Sequence, residues 1–194
     1  HKYRGDIILP ETLGVQVKSE AIGEAISQPR KHLISLSQYE RSIQQTLDAR
    51  AERDNTPMEN AFLSLLSRNP EYAQMRWIDN DGRERIRVDR APKGGAVLIP
   101  AKELQDKRDR YYVTHTLRLK RGEIYVSPLD LNIEHGQVEV PLHPMIRLGT
   151  RVYRSDGTPN GMLVLNVSAH LLLERFARHI EVSDLLLLNL DGFW

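Results

Sequence analysis

The sequence predicts an α+β domain, with N-terminal helices packed on one side of a central antiparallel sheet of about five strands. Three observations point there. Apolar residues in roughly the first fifty positions recur at steps of three and four, the period of a helix. After Asn69-Pro70 the period shortens to two, the period of a strand. Apolar, strand-like runs also end in Asp-Gly at Asp81-Gly82, Asp156-Gly157 and Asp191-Gly192. Asp-Gly tolerates the positive φ angles that tight hairpins demand.

Taken in order, Leu13, Val17, Ile22 and Ile26 lie near helical spacing, and Leu33, Leu36, Tyr39, Ile43 and Leu47 continue it. Pro29 lies between them and should end or kink the first helix. The charged run 48–54 should be solvated. The narrow apolar stripe suits a stalk or a dimer seam, and equally a helix lying on its own domain's sheet. Thr56-Pro57-Met58-Glu59 is a helix start: Thr56 can cap, Pro57 fits the first turn, and Glu59 completes a capping box. Asn69-Pro70 should stop that helix. Residues 72–79 and 83–90 then form a hairpin about Asn80-Asp81-Gly82. Residues 91–95 are a loop, and 104–119 a short helix with connections. Residues 122–127 are a strand, and 129–136 a loop rich in Asp, Asn, Glu and His. Residues 138–141, 145–153 and 161–168 are strands, with 161–168 central. A helix at 169–179 and a strand at 182–190 complete the pattern. The last strand runs into Asp191-Gly192 with almost no chain left for its return, so a second, similar unit is expected beyond Trp194.

Composition excludes several classes. With 194 residues the chain can bury roughly 70% of its unfolded surface without a metal or disulfide. Charged residues make up 27% and hydrophobic ones 40%, an ordinary globular balance. Lys and Arg number 27 and Asp and Glu 26, a net charge of +1, without the basic excess of a nucleic-acid binder. The absence of cysteine rules out thiol catalysis, Cys-ligated zinc and iron–sulfur clusters. The most apolar run, 161–173, is about half the length needed to cross a bilayer. His1-Lys2-Tyr3-Arg4-Gly5 has neither an initiator Met nor the apolar core of a signal peptide, so the sequence reads as an excised piece.

The residues themselves carry a resemblance. Met75-Arg76-Trp77-Ile78-Asp79, with Asp81-Gly82 and the strand after it, resembles the first hairpin of extracytoplasmic PAS-like sensor domains, also called Cache or PDC domains. Asp109-Arg110-Tyr111-Tyr112 resembles the element after their pocket helix. Gly122-Glu123-Ile124-Tyr125-Val126-Ser127-Pro128-Leu129-Asp130-Leu131-Asn132 is the most specific stretch, similar to double-Cache sensors of bacterial histidine kinases and diguanylate cyclases. Pro144-Met145-Ile146-Arg147 through Asn166 resembles the closing hairpin. The resemblance implies a helical stalk at 1–55, a PAS-like sensor at 56–180 and the opening of a second subdomain at 181–194. It further implies a membrane-anchored receptor whose sensor lies on the periplasmic side of the inner membrane and forms a homodimer through the N-terminal helix. No cofactor, nucleic acid or metal is implied.

The candidate site residues are Arg85, Arg87, Tyr112, His115, Tyr125, Asp130 and Arg147. Strand alternation puts Arg83, Arg85 and Arg87 on one face, opposite Ile86 and Val88. On a pocket face, paired guanidinium groups would grip a carboxylate; on a solvent face they would simply be solvated. In related dicarboxylate sensors the corresponding stretches hold the ligand, which marks Arg85 or Arg87 together with Arg147. Arg147 lies among Met145, Ile146 and Leu148, and a buried arginine there needs an acidic partner, Asp130 or Glu134, which an incoming carboxylate would displace. Tyr111 and Tyr112 are adjacent and should point different ways; Tyr112 matches the family's pocket aromatic. His115, four residues past Tyr111, could face the pocket. Asp130, Asn132, Glu134 and His135 lack the spacing of an EF-hand loop, and bonding to their own backbone competes with a cation site. No nucleophile elbow, phosphate-binding loop, dinucleotide fingerprint or kinase motif is present. Two functions follow: a sensor of a small anionic ligand, an organic acid or amino acid, or a ligand-free dimerisation or protein-contact module.

Overall fold

The computed structural model describes residues 23, 26–38, 41–48, 55–134, 137–138, 140 and 142–170. Helix α1 covers 26–38, followed by α2 (Arg41–Asp48) and α3 (Thr56–Arg68). Strands β1 (Tyr72–Ile78), β2 (Glu84–Arg90) and β3 (Ala96–Leu98) come next, then a single 3-10 turn at Ala101–Glu103 and α4 (Tyr111–Leu117). Four two-residue strands follow: β4 (Tyr125–Val126), β5 (Asp130–Leu131), β6 (Ile133–Glu134) and β7 (Gln137–Val138). The long strands β8 (Pro144–Tyr153) and β9 (Pro159–Ser168) close the sheet.

The main sheet is antiparallel, in the order β3-β2-β1-β9-β8-β4, with β5 beside β4 on the same edge of β8. Both expected Asp-Gly hairpins belong to it. Asp79 shapes the first turn: its carboxylate accepts the N–H groups of Asp81 (3.0 Å) and Arg83 (2.9 Å). Gly82 turns at φ +83°, and an added Cβ would meet the Arg108 backbone at 2.5 Å, so only glycine fits. The chain spreads the expected five strands over more pieces. β4 and β5 act as one edge strand interrupted at Ser127–Leu129, residues placed in the 129–136 loop by sequence form β5 and β6, and β3 falls in a stretch to which the sequence assigned no element.

Register sorts the sheet into two faces. Met75, Trp77, Ile86, Val88, Leu148, Leu163 and Leu165 point to one side, where they meet Leu33, Ile43, Leu47, Met58, Phe62 and Leu66 from the three N-terminal helices. Burial of each such side chain contributes about 1.5–3 kcal/mol. The Trp77 indole N–H adds a bond to the Asn160 carbonyl (3.0 Å). Arg90 closes the end of α3, donating to the carbonyls of Leu66 and Asn69 and to Tyr72 O (2.9 Å).

Three expectations change here. The stripe expected to form a dimer seam is core: Leu33, Ile43 and Leu47 are fully buried against the chain's own sheet, with Leu36 packed beside them. A stripe's period does not specify which surface it meets. α1 continues through Pro29 to residue 38. α3 begins at Thr56 itself, with Asn55 in the capping position and making no side-chain cap bond. Tyr39, the helix expected at 13–22, the region beyond residue 170 and the proposed second subdomain lie outside the described residues.

Candidate functional site

The second face of the sheet carries charge. Gln74, Arg76, Arg87, Asn166 and Arg147 stand on it with Ile78, Met162 and Val164. Helix α4 lies across the apolar part, burying Tyr112 and Val113. Gly149 permits this close approach, since a Cβ there would meet the Thr116 hydroxyl at 2.2 Å. α4 thus sits at a fixed height over β8 and brings Tyr111 and Tyr112 to Arg147.

Arg147 is 2% exposed. Its Nη1 donates to Asp130 Oδ2 (3.2 Å), and its Nη2 to Leu131 O (3.2 Å) and Asn132 Oδ1 (3.4 Å). The guanidinium carbon stands 5.4 Å from the centroid of the Tyr112 ring, within cation–π range. Tyr111 donates its hydroxyl to Asp130 Oδ2 (2.9 Å). The Arg147 backbone is tied to Ser127 in both directions, Ser127 N donating to Arg147 O and Arg147 N to Ser127 Oγ, each at 2.8 Å. His115 and Tyr125 stack nearly parallel at 5.1 Å. Burial pushes the Tyr111 hydroxyl up to about 12; Asp130 adds to the rise and Arg147 opposes it. Burial raises Tyr125 as well, with the same two charges acting in opposite senses.

Five of the seven sequence-derived site residues therefore gather in one place: Tyr112, His115, Tyr125, Asp130 and Arg147. Arg147 has the acidic partner its burial required, and that partner is Asp130; the Glu134 side chain and His135 lie outside the described residues. The tyrosines divide as expected but with roles assigned: Tyr112 is packed beneath the guanidinium, and Tyr111 supplies the hydroxyl.

Arg85 and Arg87 do not join them. A β-bulge opposite Trp77/Ile78 pairs Ile78 with Glu84 and Trp77 with Ile86, leaving Arg85 as the extra residue. Arg85 is displaced outward, with its side chain 40% exposed and 3.8 Å from Asp79. The simple alternation that put Arg83, Arg85 and Arg87 on one face is broken there. Arg87 does face the α4 side, but Asp89 holds its guanidinium through three contacts of 2.8, 3.1 and 2.6 Å. It also lies three strand spacings from Arg147, about 14 Å.

Arg76 is the residue that sequence reasoning left out. It is 1% exposed and sits between Arg87 and Arg147 on the same face. Its Nε meets Glu84 at 2.9 Å, its Nη1 donates to Asn166 (3.3 Å), and its Nη2 donates to Gln74. Asn166 in turn donates to Gln74 Oε1 (2.7 Å). The Glu84 carboxylate, buried by the bulge's shift of register, is the signal that two strands approach through paired charge.

Two clefts lie away from Arg147. One cleft of about 570 Å³ runs along Arg83, Arg85, Gln105 and Asp106, and another of about 340 Å³ along Arg30, Ile34, Gly122 and Ile124. Neither reaches Arg147, whose guanidinium is covered by the chain's own Asp130, Leu131 and Asn132. Among the described residues no group of three His, Asp or Glu side chains forms a metal site, and no helix is long and apolar enough to cross a membrane.

Residues 25–182 match the family model described as the sensor domain of bacterial histidine kinases. No curated protein matches the chain. Similar solved structures include a domain of a protein from Vibrio parahaemolyticus assigned to the sensory box/GGDEF family (TM-score 0.74, 22% identity, 84% of this chain and 60% of that one). The extracellular domain of the protein assigned as histidine kinase vpHK1S-Z8 is comparable (TM-score 0.74, 23% identity, 84% and 57%). The ligand-binding domain of the Campylobacter jejuni chemoreceptor Tlp3, in complex with L-valine, is more distant in sequence (TM-score 0.68, 13% identity, 89% and 64%). The chain spans about three fifths of the length of these structures, and at these identities the likeness is one of fold. The PAS-like architecture implied by the sequence is the one they share.

Proposed function

The chain belongs to the bacterial histidine kinase sensor-domain family, and from that premise we propose that it senses a small carboxylate ligand, an amino acid before a simple organic acid. The family is one of sensors rather than catalysts, and the sensor is extracytoplasmic. The parent is proposed to be a membrane-anchored receptor with a histidine kinase or diguanylate cyclase output and a second, similar unit after residue 180.

The observation that carries the ligand reading is the buried Arg147 guanidinium with Asp130 beside it and the Tyr112 ring against it. A guanidinium binds a carboxylate with two parallel bonds. An adjacent carboxylate suits the ammonium group of the same molecule, and aromatic faces suit either a cation or an apolar side chain. An amino acid offers both charges at the spacing of one carbon. The Tlp3 domain, alike in fold, was solved with L-valine and with L-norvaline.

A thermal-shift panel of the L-amino acids together with succinate, malate and citrate tests the proposal. At a hundred times its dissociation constant, a true ligand adds about 2.7 kcal/mol. For a domain of this size that raises Tm by roughly 5–11 °C. A panel in which no compound moves Tm overturns the ligand reading. It favours the second reading, a protein-contact module, which one observation supports: the guanidinium is already satisfied by its own chain.

A further inference from the structure

Every described hydrogen-bond partner of the Arg147 guanidinium belongs to three consecutive residues, Asp130, Leu131 and Asn132. Their backbone pairing with β8 is short. β5 pairs with β8 at only two positions, Asp130 with Met145 and Leu131 with Pro144, followed by one bond from Asn132 N to His143 O (2.9 Å). Pro144 has no N–H to give to that ladder. The β6–β7 hairpin that follows is a separate sheet. β8, by contrast, is paired with β9 at eight positions. Arg147 therefore stands on a strand with long pairing and holds one with short pairing.

We propose that Asp130 occupies the place of a ligand carboxylate on Arg147, and that residues 130–132 form a strap which ligand binding lifts from β8. The displacement rests on the ligand reading above; the latch itself does not. The exchange is one carboxylate for another, so the buried guanidinium is never left unpaired, and the costly intermediate of an uncompensated charge is avoided. The freed Asp130 then needs a partner of its own. An amino acid supplies one, since its ammonium can bridge to Asp130 while its carboxylate takes Arg147. A bare monocarboxylate cannot, so it must compete against Asp130 without compensation. The internal competitor thereby discriminates against simple acids in favour of zwitterions. Because Asp130 also accepts the Tyr111 hydroxyl, lifting the strap releases a contact between β5 and α4 as well. The signal leaves the site through those two elements.

Two experiments test this. In hydrogen exchange without added ligand, Arg147→Met should raise exchange at residues 127–132 at least tenfold while β1 and β9 keep their protection. Unchanged exchange at 127–132 overturns the latch. So does a uniform rise across the sheet, which would mean that Arg147 supports the fold as a whole. The second variant, Asp130→Asn, keeps the side-chain shape and removes the competing charge at a half-buried position. NMR titration with isobutyrate, the carboxylate of valine without its amine, should give at least tenfold tighter binding to Asp130→Asn than to the wild type. L-valine should lose affinity for the same variant. Isobutyrate binding both proteins equally, or neither, overturns the displacement. Failure of the two ideas is distinguishable. A panel in which no amino acid binds the wild type removes the ligand reading. A wild type that binds amino acids, paired with an Asp130→Asn variant that gains nothing for isobutyrate, removes the displacement alone.

Discussion

Gly149→Ala tests whether α4 is held over the site by the close approach at β8. The new methyl would lie 2.2 Å from Thr116 Oγ1, 3.0 Å from its Cγ2 and 3.1 Å from its Cβ. Non-bonded heavy atoms prefer about 3.5 Å or more, so the helix must retreat by roughly 1 Å or Thr116 must rotate. Rotation is costly, because Thr116 is fully buried and its hydroxyl donates to Tyr112 O at 2.7 Å. Overpacking of this kind costs about 1–3 kcal/mol. In a domain of this size the fall in Tm is roughly 2–12 °C. The site should suffer too: a retreat of that size stretches the 2.9 Å bond from Tyr111 to Asp130 past the hydrogen-bond limit of about 3.5 Å. Calorimetric melting of Gly149→Ala, and of Gly149→Ala combined with Thr116→Ala, is the assay. The second change removes the two γ atoms and should restore part of the lost stability, the remaining 3.1 Å contact to Cβ keeping recovery incomplete. An unchanged Tm for Gly149→Ala, or costs of the two substitutions that simply add, would refute the reasoning.

Three further outcomes follow from the same packing. Tyr111 ionises at about 12 against an ordinary 10.0, chiefly because burial opposes the phenolate. Its share of stability is therefore full below pH 10 and is lost as pH rises from 10 to 12; it is on the order of 2 kcal/mol at most, reduced by partial exposure. In denaturant titrations Tyr111→Phe should flatten that alkaline decline, leaving the parts due to Tyr72 and Tyr125, which burial also raises; an unchanged slope contradicts this. Arg76→Met strands the buried Glu84 carboxylate and should cost about 3–5 kcal/mol, with Arg76→Met/Glu84→Gln recovering much of it. If the double variant is as unstable as the single one, the ion pair is not the cause. Leu33→Ala should cost about 2–5 kcal/mol with no change in association state by sedimentation; weakened self-association instead would return Leu33 to a subunit interface.

The sheet was legible because its determinants are local. Asp81-Gly82 and Asp156-Gly157 dictate hairpins by backbone chemistry alone, and the alternating residues of β1, β8 and β9 mark which side is core. Arg147 was legible for a related reason: an arginine between Ile146 and Leu148 in a central strand must be either solvated or paired. What stayed hidden depends on contacts distant in sequence. The bulge at Arg85 is set by the pairing of β1 with β2, and no residue in 83–90 announces it. The pairing of Arg76 with Glu84 was hidden because Glu84 reaches the same face only through that bulge. The stripe from Leu33 to Leu47 has the same spacing whether it meets a second chain or its own sheet. Strands as short as β4 and β5 leave no period to read, and their place is set by the β8 edge they join.

The central claim is that Arg147 reads a carboxylate. Isothermal titration of the strongest amino acid from the thermal-shift panel into the wild type and into Arg147→Ala tests it most directly, with circular dichroism establishing that the variant is folded. The wild type should bind one molecule per chain saturably, and the folded variant should lose at least a hundredfold in affinity, as expected when a buried charged hydrogen-bonding group is removed. Equal affinity in a folded Arg147→Ala protein would contradict the account.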